Sequence, residues 1–353
     1  MAAALMAPGE SIIHNVPHIQ DVFTMIELLE TLGVGVKFEA TTLRLSVGDD
    51  IGQEAPHELV RKMRASIQVM GPLLGRLGRV RVSLPGGCAI GERPIDFHLK
   101  GFMQLGARIN EEHGYIYAEA DQLKGVDIQL DYPSVGATEN LMMAAALASG
   151  TTQIRNAARE PEIIEVQNFL NQMGAQIRGA GTDVIRIDGV DSLYPAEHTI
   201  IPDRIEVGTY LVAVAMAGGT AVLQPVIPQH VASLMAKLNE TGVRVLGEED
   251  KITVHSIGKY RAVNFQSLPY PGFPTDLLPQ VMAMMTLAEG TSVIRETVYT
   301  NRYKHVGELR RMGANILIAD RTAVVQGVTH LTGAEVVVPD LRAGAALVLA
   351  ALA

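Results

Sequence analysis

Leu141-Met142-Met143-Ala144-Ala145-Ala146-Leu147-Ala148, closed by Gly150, is apolar on every side when wound as a helix. A helix with no polar face has to be buried among other elements. The residues after Gly150 complete one unit. Residues 151–157 read as a strand, and Glu160-Pro161-Glu162 announces a second helix, because proline suits the first helical position and acids favour the first turn. Ile163, Val166, Phe169, Leu170 and Met173 give that helix one apolar stripe, and Gly174 suits the position just past its end. Residues 175–178 and 184–188 then read as a hairpin around Gly181. Ile185 and Ile187 alternate there with Arg186 and Asp188, so one sheet face meets water. A fully buried helix joined to a half-solvated sheet predicts helices inside and sheets outside, the reverse of an ordinary α/β barrel.

The same unit recurs. Turns before a strand-like run fall at Gly33, Gly106, Gly174, Gly242 and Gly313, about 70 residues apart. A second series in phase with it, Gly9, Gly78, Gly150, Gly219 and Gly290, closes the apolar runs. Five copies are traceable, and Ala343-Gly344-Ala345-Ala346-Leu347-Val348-Leu349-Ala350 opens a sixth. The expectation is an α/β protein of repeated βαβαββ units, split three and three around Ile201-Pro202 into domains 1–201 and 202–353. Clefts between such domains are favoured places for active sites. Met1 falls inside the first buried helix and Ala353 inside the sixth copy, so both outer copies are expected to lack a part.

Composition excludes several classes of function. At 353 residues the chain exceeds what one hydrophobic core usually serves, and 48% apolar residues supply two. A net charge of -9 opposes nucleic acid as the main partner, and the sparse Tyr and Phe offer no stacking platform. No apolar run approaches the ~18–20 residues of a membrane span, and no targeting segment is read. A single cysteine can form neither an internal disulfide nor a thiolate cluster, which fits a reducing compartment and the cytoplasm. The ten histidines, His98 and His305 among them, show no metal-ligand spacing, and no Ser-His-Asp set can be picked, so neither metal nor cofactor is expected.

Three features carry possible chemistry. Arg61, Lys62, Arg64, Arg76, Arg79, Arg81 and Arg93 cluster in an acidic chain with Glu92 as their one acidic neighbour. They are either a solvated face or an anion site. Within that stretch, Ser83-Leu84-Pro85-Gly86-Gly87-Cys88-Ala89-Ile90-Gly91-Glu92-Arg93-Pro94-Ile95-Asp96 is a glycine-rich loop that interrupts the repeat. It carries the only thiol, and neighbouring arginines would lower the pKa of an exposed sulfur. Finally, the buried helices open on Pro133-Ser134, Pro202-Asp203, Pro274-Thr275-Asp276 and Pro339-Asp340. Plain N-capping explains each of these, yet helix N-termini also bind anions, and an acid there can act as a base.

The pieces Leu84-Pro85-Gly86-Gly87-Cys88-Ala89-Ile90-Gly91, Ser134-Val135-Gly136-Ala137-Thr138-Glu139-Asn140, Asn156-Ala157-Ala158-Arg159-Glu160-Pro161-Glu162, Phe273-Pro274-Thr275-Asp276 and Asp340-Leu341-Arg342 closely resemble the enolpyruvyl transferases along essentially the whole chain. The resemblance implies two inside-out α/β barrels of three units each. It implies transfer of the enolpyruvyl group of phosphoenolpyruvate to the 3′-hydroxyl of UDP-N-acetylglucosamine with release of phosphate, the first committed step of peptidoglycan synthesis. It further implies Cys88 as proton donor to C3 and as the sulfur alkylated by fosfomycin-type inhibitors, Asp276 as general base, and Asp340 as an acid beside the reacting centre. Arg93 and Arg342 would bind phosphoenolpyruvate, and Arg64, Pro94, Ile95, Asp96, Ser134, Val135 and Val298 would line the nucleotide-sugar site. A Lys-Asn pair before Met1 and an arginine after Ala353 complete the family pattern, so a chain of this extent is expected to be inactive or nearly so. The rival readings are the branch acting on shikimate 3-phosphate, which lacks a cysteine-tipped loop, and an inactive copy that binds UDP-sugar.

Overall fold

The computed structural model describes residues 1–84 and 95–353, and these fall into two compact units that part between Ile201 and Pro202. The copy around the all-apolar run folds as its pattern dictates. A strand, Thr151–Arg155, leads to a helix, Pro161–Gln172, and then to a hairpin of Gln176–Arg178 and Val184–Asp188. The last strand lies in the middle, antiparallel to both others, with Ile185 opposite Ile154 and Ile187 opposite Ile177. Ile185 and Ile187 are fully buried. On the other face, Arg186 donates to Asp188 at 2.9 Å.

Five sheets of this order occur among the described residues, three in the first unit and two in the second. Four of them carry an extra parallel strand on the free edge of the first strand, as Asp127–Gln129 does beside Thr151–Arg155. In the first sheet that strand is Glu197–Thr199, which pairs with Gly9–His14, so the segment after the third sheet returns to the first. Both glycine series adopt positive φ throughout, from 70° at Gly78 to 114° at Gly9. At Gly174 the reason is plain. The glycine N–H donates to the Asn171 carbonyl and the Ala175 N–H to Leu170, which closes the helix with a left-handed residue.

The first part of the all-apolar run, to Ala145, belongs to a helix, Val135–Ala145, that starts earlier than the run itself and is buried from Ala137 onward apart from a half-buried Glu139, while residues 146–148 follow the helix end. It packs against Met70–Leu77. Gly71 sets their distance, because a Cβ there would lie 2.2 Å from the Asn140 carbonyl oxygen. The Gly71 N–H donates instead to Asn140 Oδ1 at 2.6 Å. The inward residues of the sheets, Ile154, Ile185 and Ile187, join these helices in one apolar cluster. In the second unit, Arg204–Ala217, Leu278–Met285 and Leu341–Leu352 pack together in a cluster of their own. None of the helices among the described residues is long and apolar enough to cross a membrane.

Candidate active site

The four helix-opening motifs do not share one role. Ser134 accepts from Ala137 N at 3.4 Å, Asp203 from Ile205 N at 2.7 Å and Glu206 N at 3.3 Å, and Asp340 from Ala343 N at 2.9 Å, so all three cap. Asp276 does not. It sits in a single 3-10 turn, Thr275–Leu277, with no side-chain cap, and its carboxylate turns to two guanidiniums. Arg342 donates to Oδ2 at 3.0 Å, and Arg302 donates to Oδ1. Arg302 is 2% exposed at its side chain, against 35% for Asp276. Burial alone would push the Asp276 carboxyl up, but Arg342 and Arg302 outweigh it and hold the carboxyl below the usual range.

Around this acid lies a connected set. Arg302 Nε donates to Thr275 Oγ1 at 3.1 Å, and that hydroxyl donates to Glu296 at 2.8 Å. Glu296 also accepts from the backbone N–H of Val298 at 2.6 Å. Asp340 spends one oxygen on its cap, while Oδ2 is buried without a hydrogen-bond partner among the described residues. His305, fully buried nearby, has its pKa pushed down to about 4 by burial, against an opposing pull from Asp340, and is neutral at pH 7.

The first unit holds the second group. Ser134 and Val135 form the N-terminus of the buried helix, Ile95 and Asp96 that of Asp96–Gln104, and Arg64 opens the turn Arg64–Val69. Between them lies a buried polar cluster. Asn140 donates to the Ile67 carbonyl at 3.0 Å and lies 3.0 Å from His98 Nδ1. Gln68 donates to Glu139 at 2.7 Å and to the Gly136 carbonyl at 3.2 Å. Burial, helped by the nearby Arg64, lowers His98 to about 4. Burial raises Glu139 to about 8, with Glu162 and Glu160 adding to the effect.

Three members of the basic stretch before the glycine-rich loop are engaged within the fold. Arg76 donates to the carbonyls of Leu5 and Gly48, at 2.8 and 2.7 Å. Arg81 pairs with Glu54 at 2.8 Å and lies 4.0 Å above the Tyr115 ring. Lys62 faces Glu27 at 3.5 Å. Cys88, Arg93 and Pro94 lie outside the described residues. Of the remaining sequence candidates, Asp276, Val298, Asp340 and Arg342 belong to the second unit, and Arg64, Ile95, Asp96, Ser134 and Val135 to the first. Sequence reading missed Arg302 and Glu296, which sit 26 and 21 positions from the Thr275–Asp276 groups they bond, with no motif of their own.

Comparison with known proteins places the chain in a family. The family model described as EPSP synthase (3-phosphoshikimate 1-carboxyvinyltransferase) matches residues 1–353. A UDP-N-acetylglucosamine 1-carboxyvinyltransferase 1 of Caldanaerobacter subterraneus is 57% identical over 352 residues, covering 100% of this chain and 85% of the relative. One from Symbiobacterium thermophilum is 56% identical, over 100% of this chain and 81% of its own length. Among solved structures, the enolpyruvyl transferase NikO from Streptomyces tendae superposes with a TM-score of 0.89 at 27% identity, covering 99% of this chain and 84% of that one. An EPSP synthase from Acinetobacter baumannii shares the fold, with a TM-score of 0.72 at 18% identity over 99% of this chain and 86% of that chain. With its repeated βαββ sheets, its buried helices and an unbroken family match, the chain belongs to the EPSP synthase family of enolpyruvyl transferases.

Proposed function

We propose that the protein transfers the enolpyruvyl group of phosphoenolpyruvate to the 3′-hydroxyl of UDP-N-acetylglucosamine and releases phosphate, in the first committed step of peptidoglycan synthesis. The relatives at 52–57% identity carry the name of that reaction. The single structural observation behind the reading is Asp276, an acid at a helix entrance that does not cap and is held between two arginines.

The reaction needs a base for the hydroxyl, an acid for the C3 methylene and cations for a phosphorylated carboxylate. Asp276 takes the 3′-hydroxyl proton as that oxygen bonds to C2. Cys88 supplies the proton that turns C3 into a methyl group. The resulting tetrahedral ketal then loses a C3 proton and phosphate, which restores the double bond. Arg93 and Arg342 hold phosphoenolpyruvate, with Asp340 beside the reacting centre. The nucleotide sugar is lined by Arg64, Pro94, Ile95, Asp96, Ser134, Val135 and Val298. With both arginines on it, Asp276 is a weak base; an incoming anion that draws Arg342 away raises its basicity at the moment it is needed.

In this reading each unit is an inside-out barrel of three copies, no cofactor or metal takes part, and the reaction runs in the cytoplasm. Support for the barrel comes from the buried helices and from the return of Glu197–Thr199 to the first sheet. The test is phosphate release from phosphoenolpyruvate, with UDP-N-acetylglucosamine as acceptor, measured on a chain extended at both ends. Dependence on that acceptor, and loss with Cys88→Ala or with a fosfomycin-type epoxide, is expected. Release that requires shikimate 3-phosphate instead overturns the reading in favour of the sister branch.

A further inference from the structure

We infer that Glu296 is a positioning residue for this chemistry, one buried carboxylate that holds both the base Asp276 and the backbone at Val298. The inference rests on the proposed function, in which Asp276 is the base and Val298 lines the sugar site. Glu296 follows the strand Thr291–Arg295 and is 1% exposed. A carboxylate so deep is costly unless its oxygens are bonded and its charge is met. Its two oxygens face different tasks.

Oε1 gathers the loop. It accepts from Ser267 Oγ at 2.7 Å, Val298 N at 2.6 Å and Tyr299 N at 2.9 Å. Ser267 Oγ in turn accepts from Thr297 N at 2.8 Å, so the turn after the strand is tied at consecutive residues. Oε2 serves the base, accepting from Thr275 Oγ1 at 2.8 Å. Because Thr275 spends its proton on Glu296, its lone pairs face Arg302 Nε at 3.1 Å, and Arg302 reaches on to Asp276. A residue that only held the loop would need Oε1 alone. The second oxygen, aimed at the residue next to the base, marks the further role.

Substitution separates the two arms. Glu296→Gln keeps an oxygen for Ser267, Val298 and Tyr299 but puts an amide N–H where Thr275 donates. The expected result is a kcat lowered roughly ten- to a hundredfold, less than the ~10²–10⁴ lost with the general base itself, with KM for UDP-N-acetylglucosamine almost unchanged. Thr275→Val, which cuts the same arm without touching Glu296, should reproduce that split. Glu296→Ala loses both arms and should raise KM as well. A second readout needs no substrate: the Asp276 carboxyl resonance titrated in protein labelled with ¹³C-aspartate. Facing that carboxyl are Arg342 from the last helix, Arg302 from the stretch before His305–Arg311, and Thr275 from its own turn, with Asp340 and His305 behind them. Removing the negative charge of Glu296 leaves the set more cationic, so Asp276 should titrate at lower pH in Glu296→Gln than in the wild type. An unmoved titration together with an unmoved kcat overturns the inference. An extended wild-type chain that releases no phosphate sinks the functional reading alone, since the titration is read without substrate.

Discussion

Asp276 and Glu139, one in a 3-10 turn and one on a buried helix, are two acids with opposite electrostatics. Two guanidiniums hold Asp276 below the ordinary carboxyl range, whereas burial raises Glu139 to about 8. Asp276→Asn keeps the shape and removes the proposed base, so kcat should fall by about 10²–10⁴ while UDP-N-acetylglucosamine still binds, as calorimetric titration would show. Glu139 has its folded pKa above its unfolded one. Its contribution to stability is therefore present below the unfolded value of 4.5 and lost as pH climbs through about 8. Glu139→Gln should gain Tm relative to the wild type between pH 5 and pH 9. Asp276 was legible because a helix-start motif drew attention to it, although capping, the ordinary reason for such a motif, is not what it does. Arg302 and Glu296 were not legible, because each gains its meaning from a partner more than twenty positions away, and neither apolar period nor charge pattern marks it.

At the scale of elements, the sequence pattern and the structure agree wherever local physics decides. The strand, helix and hairpin of residues 151–188 arise from alternation, a stripe and three positive-φ glycines, Gly174, Gly179 and Gly181. Helix ends are less plain. Asp203 caps with two bonds, and Asp203→Ala should cost about 1–2 kcal/mol in urea denaturation. The basic stretch was the misleading element: its charges look collective in one dimension, but folding sends Arg76 to carbonyls and Arg81 to Glu54 and an aromatic face. Close helix contact is another three-dimensional fact. A Cβ on Gly71 meets backbone, which cannot swing aside, so Gly71→Ala should destabilise by about 1–3 kcal/mol through overpacking.

For the whole molecule, the phase-locked glycines reveal the repeat because every copy has to end its helix and turn its chain in the same way. The two apolar clusters share no residue. Calorimetry on Gly71→Ala and Gly208→Ala should therefore shift different parts of the melting profile; a Cβ on Gly208 would lie 2.4 Å from Leu277. The pairing of Glu197–Thr199 with Gly9–His14 also sets a timetable for the nascent chain. The two strands lie about 185 residues apart, as the bond from Ala196 N to Ser11 Oγ records. At ~5–20 residues per second, a ribosome needs roughly 10–40 s to deliver the later strand after the earlier one has emerged. Through that interval the first sheet has a bare edge, the kind of template that recruits a neighbouring polypeptide. Slow translation would lengthen that exposure, so the yield of native protein from a cell should depend on synthesis rate through this one strand pairing.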